Sequence, residues 1–145
     1  MEKQILIKVR AVIMHEEKML VVRHLGYPEN LFALPGGHLE FGEELKEGLS
    51  RELVEELGVN TEIGRLLYVN TFIGNSGNQY MEFFFEVLKG EEYLNTEELE
   101  RSHAHELMEI LWVSPTDNKE ILPKKFGEDF KAGKILGNEV RFIKD

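Results

Sequence analysis

The chain has 145 residues, 42% of them apolar, and a formal net charge of −10. That is the size of one ordinary domain with enough apolar content for a core, so residues 1–145 are expected to fold as a single domain. With no cysteine there are no disulfides, thiolate zinc or cysteine nucleophile, and the acid excess argues against life on long nucleic acid, which calls for a basic surface. No apolar run nears the roughly 18 residues of a membrane helix. The first residues, MEKQILIKVR, lack a signal-peptide core, so a soluble, cytoplasmic protein without a membrane partner is expected.

Residues 4–14 (QILIKVRAVIM) read as a strand rich in Ile and Val, with Lys8 and Arg10 interleaved. His15-Glu16-Glu17-Lys18 is a short turn, and residues 19–23 return as a second strand, which predicts a hairpin. Arg23 closes that strand, as a solvated end or as a phosphate contact. Residues 24–30 (HLGYPEN) form a loop broken by Gly26 and Pro28. Tyr27 and Phe32 can both stack a base; Phe32, in the short apolar strand 31–34, suits the core, and Tyr27 is the loop candidate.

Residues 34–59 (LPGGHLEFGEELKEGLSRELVEELGV) carry the chemistry. Pro35-Gly36-Gly37 predicts a tight turn whose backbone can approach a ligand. His38 follows it, as a solvated loop residue or a phosphate contact. A helix is predicted over about 44–57. Leu45, Leu49, Leu53 and Leu57 step by four and mark its core stripe. Glu52, Glu55 and Glu56 are related by three and four, so they project toward one patch. Carboxylates held so close repel one another, and a cation removes that penalty. Clustered hard oxygen ligands suit Mg2+ or Mn2+ rather than zinc. Glu40 and Glu43 add carboxylates where the helix dipole favours them. Arg51 lies four residues before Glu55 and eight after Glu43 and can pair with either. Gly48 costs roughly 1 kcal/mol against alanine, which close packing on the sheet would explain. Gly58 ends the helix as a left-handed cap. For the carboxylates alone, a solvated Glu-rich helix face is the plain alternative.

Residues 61–73 read as one long strand with a bulge at Gly64. Residues 74–78 are a turn, and 80–88 (YMEFFFEVL) a strand that pairs back as a hairpin. Phe83, Phe84 and Phe85 cannot all face one side. Residues 89–107 are polar and acidic without a clean period, and a loop over the site is expected there. His103, His105 and Glu106 stand out within it. Residues 109–113 form a strand with Trp112 in the core, and 114–117 a turn and helix start. A second helix at 124–131 packs through Phe126 and Phe130 and ends at Gly133. Residues 135–143 contain a last extended segment.

The spacing Gly37, five residues, Glu43, seven residues, Arg51-Glu52-Leu53-Val54-Glu55-Glu56-Leu57-Gly58-Val59 resembles the complete Nudix box. Pro35-Gly36-Gly37 and Glu40-Phe41-Gly42-Glu43 are similar to the MutT-like branch of that family. The resemblance implies an α/β/α sandwich with a mixed sheet. It implies a metal-dependent hydrolase of nucleoside diphosphates linked to a further group X, with a small-molecule nucleotide as partner. Glu55 and Glu56 are then the main ligands of Mg2+ or Mn2+, Glu52 a ligand or the base, and the Gly37 carbonyl part of the shell. Arg51 orients them, and Glu40 and Glu43 support the substrate side. Arg23 matches a basic strand end that faces substrate phosphates in the family. Glu106, shortly before the next strand, matches a glutamate that reaches across to the metal, with Glu98 and Glu100 as rivals. The short chain and MutT-like flanks point to a (d)NTP cleaved to (d)NMP and pyrophosphate. The alternatives are ADP-ribose or another sugar nucleotide, and a catalytically silent nucleotide sensor. The ADP-ribose branch carries a proline about fifteen residues past the box, where this chain has Ile73-Gly74-Asn75-Ser76. Homodimerisation through the first strand or the aromatic hairpin is left open.

Overall fold

A computed structural model describes residues 2–95 and 107–145. In chain order the elements are β1 (Ile5–Val12), β2 (Met14–His15), β3 (Lys18–His24), β4 (Leu31–Phe32), β5 (Gly36–His38), α1 (Leu45–Leu57), β6 (Ile63–Ile73), β7 (Gln79–Val87), β8 (Leu107–Val113), β9 (Glu120–Ile121), α2 (Lys124–Lys131) and β10 (Arg141–Lys144). The main sheet has five strands in the order β10-β6-β7-β1-β5. It is mixed: β1 runs parallel to β7 and antiparallel to β5, while β6 and β7 form an antiparallel hairpin. A three-stranded sheet, β2-β3-β8, and the parallel pair β4-β9 complete the architecture.

Strand alternation sorts the core into two layers. Val9 and Ala11 of β1, with Phe83 and Phe85 of β7, meet Leu49, Leu53 and Leu57 of α1. Val12 and Phe84, on the opposite face, meet Phe126 and Phe130 of α2. Burying each of these large side chains contributes roughly 2 kcal/mol, so either helix is held mainly by the face it hides. The result is the expected α/β/α sandwich, and the three consecutive phenylalanines divide between its layers.

The ends of α1 follow local chemistry. Glu47 reaches back to accept a hydrogen bond from the Glu44 N–H at 3.4 Å. Gly58 takes φ 73° and donates to the Val54 carbonyl. Gly48 packs on the approach to the helix rather than on the sheet: a Cβ there would lie 2.6 Å from Leu39 Cδ1 and 3.0 Å from Glu43 Oε1.

Two further expectations are corrected and two are narrowed. The hairpin expected around residues 15–18 is present but short: β1 stays in the main sheet, while the Ile13 carbonyl accepts the Leu20 N–H at 2.9 Å and Met14–His15 pairs back onto β3. The two-residue turn between them puts Glu16 and Glu17 at φ 50° and 69°, which matches the twist of a tight hairpin. Pro35-Gly36-Gly37 is no turn; Gly36–His38 pairs with β1 as a strand. No helix starts at Ser114, because Asp117 closes a turn by accepting the Ser114 N–H at 2.8 Å. Residues 135–143 do contain the start of a last extended segment, narrowed to Arg141–Lys144, and Ile135 is buried in the core. The irregularity expected at Gly64 is present as register shifts between Ile63 and Tyr68. Glu106, Glu98, Glu100, His103 and His105 lie outside the described residues.

Candidate active site

The site is built where β5 passes under α1. Gly37 turns its Cα toward the helix, and a Cβ there would lie 2.6 Å from the Glu52 carboxyl carbon. Gly36 is tighter still, since a Cβ would overlap the Val9 carbonyl of β1. The glycines are therefore needed for the approach of strand to strand and strand to carboxylate, not for a turn. One turn further along α1, Glu56 is only 4% exposed and its Oε1 accepts the Gly36 N–H at 2.8 Å. The helix is thus tied to the strand by a charge-assisted bond.

Arg51 stands at the centre of the carboxylates. Its Nε and Nη2 donate to the two oxygens of Glu43 at 2.7 and 3.1 Å, a bidentate pair. Nη1 donates to Glu52 at 3.1 Å and to Glu55 at 3.2 Å, and lies 3.4 Å from Glu40. Nη2 also reaches the His38 carbonyl at 3.1 Å. Both partners left open by the spacing, Glu43 and Glu55, are engaged at once. Glu43 also accepts the Glu40 N–H at 2.7 Å, and its carboxyl is held below the usual range chiefly by the Arg51 side chain. The guanidinium is in turn held more firmly protonated, chiefly by Glu43. Glu52 shifts the other way. Burial pushes its carboxyl up, and Arg51 offsets only part of that. Among the described residues, no three carboxylate or imidazole groups converge tightly enough to form a ready metal cage.

A cleft of about 330 Å³ opens beside this cluster. Tyr27, Gly37, His38, Glu52, Glu55 and Glu56 line it. Arg51, Glu40 and Glu43 stand behind the lining as its support. Arg23 is not in the lining but bonds to a residue that is: its Nε donates to Glu109 Oε1 at 2.8 Å and its Nη1 to the Tyr27 carbonyl at 3.4 Å.

The basic residues that do line the cleft are Lys8 and Arg10 of β1. Sequence reasoning noted them only as interleaved polar residues. Two cations at i and i+2 in an otherwise apolar strand share one face, and that was the available signal. Lys8 sits opposite His38 in the β1–β5 ladder. Burial, then the neighbouring Arg10, lowers the Lys8 ammonium's pKa. Burial, then Lys8 and Arg10, likewise lowers that of the His38 imidazole. The cleft thus has carboxylates on one wall and cations on the other.

This arrangement belongs with a known group of proteins. The chain is a member of the Nudix family: the family's NUDIX domain model matches residues 6–132. Phosphatase NudJ of Escherichia coli (strain K12) is 31% identical over 81 residues, 56% of this chain and 53% of NudJ, so the match spans about half the length of that relative. A MutT NUDIX hydrolase from Burkholderia pseudomallei shares the fold with a TM-score of 0.71 at 21% identity, over 89% of this chain and 98% of its own. An ADP-ribose pyrophosphatase from Streptococcus suis does so with a TM-score of 0.64 at 22% identity, over 94% of this chain and 98% of its own. Among the described residues, no helix is long and apolar enough to cross a membrane.

Proposed function

We propose that the protein is a metal-dependent pyrophosphohydrolase that cleaves a P–O–P bridge in a nucleoside diphosphate linked to X, with a (d)NTP going to (d)NMP and pyrophosphate as the preferred case. The observation that carries this reading is the Arg51-centred carboxylate cluster set against Gly37 and facing Lys8 and Arg10 across one cleft. We also take the whole chain, 1–145, as one domain, since both helices pack on one sheet.

The oxygen-only donor set fits Mg2+ or Mn2+, and the space above Gly37 that a Cβ would fill is taken by the Glu52 carboxylate. Glu52, Glu55 and Glu56, with the Gly37 carbonyl, would hold the ion. When bound, it neutralises phosphate charge and makes water more acidic. Lys8 and Arg10 draw the phosphates into a cleft that the net charge of −10 would otherwise defend. Arg51 holds Glu52 and Glu55 in orientation, so little reorganisation is needed as charge develops. Glu52 is a ligand of the ion or, in place of that role, the base that accepts the proton of the attacking water.

Product release with Mg2+ or Mn2+ should be measured over nucleoside triphosphates, ADP-ribose and other sugar nucleotides, each beside Glu56→Gln. Release of pyrophosphate that vanishes in the variant is expected. Silence over the whole panel with nucleotide binding retained would move the assignment to a sensor.

A further inference from the structure

A second cavity, of about 320 Å³, adjoins the carboxylate cleft on the α2 side of the main sheet. It is lined by Asn70, Phe72, Tyr80 and Glu82, and it shares Lys8, Arg10 and Tyr27 with the first. Phe72 and Tyr80 are directly opposite in the β6–β7 ladder, and their rings stack with centroids 4.9 Å apart at 13°. The Lys8 ammonium lies 4.8 Å from the Tyr80 centroid. Two residues along, on the same face, the next opposed pair is Asn70 and Glu82.

That pair is part of a buried chain of hydrogen bonds. Arg10 Nη1 donates to the Leu34 carbonyl at 3.2 Å, and its Nε to Glu82 Oε2 at 3.0 Å. Glu82 Oε1 accepts Asn70 Nδ2 at 3.0 Å. The carboxylate therefore decides which way the Asn70 amide points. Its Oδ1 is left without a hydrogen-bond partner among the described residues, although Asn70 is only 1% exposed. An orphaned buried acceptor costs about 1–3 kcal/mol and calls for a donor. What Asn70 and Glu82 present, a carbonyl oxygen and a carboxylate, is acceptor in character.

We propose that this cavity is the ring-binding half of the site, in which Asn70 and Glu82 select a planar ring carrying N–H donors on its edge while Phe72 and Tyr80 form its aromatic wall. The inference rests on the pyrophosphohydrolase reading for the phosphate end, which Lys8 and Arg10 join to the ring end. A guanine-like edge, with a ring N–H beside an amino group, satisfies both acceptors. A ring whose edge bears no N–H leaves Oδ1 orphaned and meets a carboxylate as well.

The test is calorimetric binding, with Mg2+, of the α,β-methylene diphosphates of guanosine and of unsubstituted purine riboside, neither of which can be turned over at the bridge. The guanosine compound should bind at least about 10-fold more tightly. In Asn70→Leu the two affinities should come within about 2-fold of each other. A merely structural role for Asn70 would weaken both ligands and keep their ratio. If Asn70→Leu does not fold, Asn70→Ser is read in the same way. Equal binding by the unaltered protein, binding of neither ligand, or a ratio kept in the folded variant would each overturn the proposal. Discrimination without hydrolysis of natural nucleotides would remove the enzyme assignment and leave this one, and hydrolysis with equal binding would do the reverse.

Discussion

Arg51 and Glu43, eight residues apart, form a bidentate pair with Nε–Oε2 at 2.7 Å and Nη2–Oε1 at 3.1 Å. The pair braces the segment before α1 against the helix and leaves Nη1 to hold Glu52 and Glu55. Lysine carries the charge but not the fork. Arg51→Lys should therefore lower kcat by about 10–100-fold. Its melting temperature should stay within a few degrees of the unaltered protein, because the cluster is partly solvated. Steady-state pyrophosphate release beside a thermal melt checks both. An unchanged kcat would mean that the orientation of these carboxylates does not matter.

The two glycines of β5 should respond differently to alanine. In Gly36→Ala the new Cβ meets the backbone of Val9, which cannot swing aside. The expected loss is about 3 kcal/mol or more, read from the urea midpoint. In Gly37→Ala the nearest atoms the new Cβ meets are at the end of the Glu52 side chain, which can move. That variant should fold, and activity should fall at least about 10-fold as Glu52 is displaced.

Glu56 has a structural task beside the one proposed for it, since it receives the Gly36 N–H. Glu56→Gln keeps an acceptor there and should melt close to the unaltered protein while losing activity. Glu56→Leu strands a buried N–H and should cost about 1–3 kcal/mol. If the two variants melt alike, the tie between α1 and β5 carries no stability.

Adding Mg2+ should raise the melting temperature through the carboxylate cluster. At a concentration about 100 times its Kd, a ligand of the native state alone contributes about 2.7 kcal/mol. The rise should shrink in Glu55→Gln and be unchanged in Asp117→Asn, an exposed acid of the Ser114 turn. Equal rises in both would indicate diffuse ion binding.

Asp129 supplies a pH test away from the site. Burial alone would raise its carboxyl, but the Tyr68 hydroxyl at 2.7 Å, Lys125 and Arg141 together hold it below the usual range. Its folded pKa thus lies below the unfolded value of about 3.9, so its contribution is full above about pH 4 and is lost as pH falls through the folded value. Asp129→Asn should cost about 1–2 kcal/mol at neutral pH and flatten the acid limb of the stability curve. An acid limb identical to that of the unaltered protein would sink this account.

The box helix was legible because its signals are local. A four-residue leucine step, a glycine after the last turn and glutamates three and four apart each report on neighbours within the same helix. The split of Phe83, Phe84 and Phe85 between two layers was legible for the same reason, since a strand alternates whatever lies around it. The role of Pro35-Gly36-Gly37 was not. Glycines before a helix look like a turn, and only the position of β1 shows that Gly36 is required by the Val9 carbonyl. Arg23 and Arg10 show the same limit. Each is a cation in or at the end of an apolar strand, and which one lines the cleft depends on the sheet each strand joins: Arg23 is engaged with Glu109 on β8, and Arg10 lies beside Gly36 on β5.

By itself, then, the sequence determined the helix that carries the carboxylates, the two-sided character of the strands and the family to which the box belongs. These follow from periods of two and of three to four residues, which any short stretch displays on its own. The tertiary structure decided what the cleft contains opposite those carboxylates. Lys8 and Arg10 lie on β1, tens of residues before the β6–β7 hairpin that carries Asn70, Phe72, Tyr80 and Glu82, and only the ladder β6-β7-β1-β5 sets the two groups side by side. Strand register is a long-range property, fixed by which faces the two helices bury, and no local pattern encodes it.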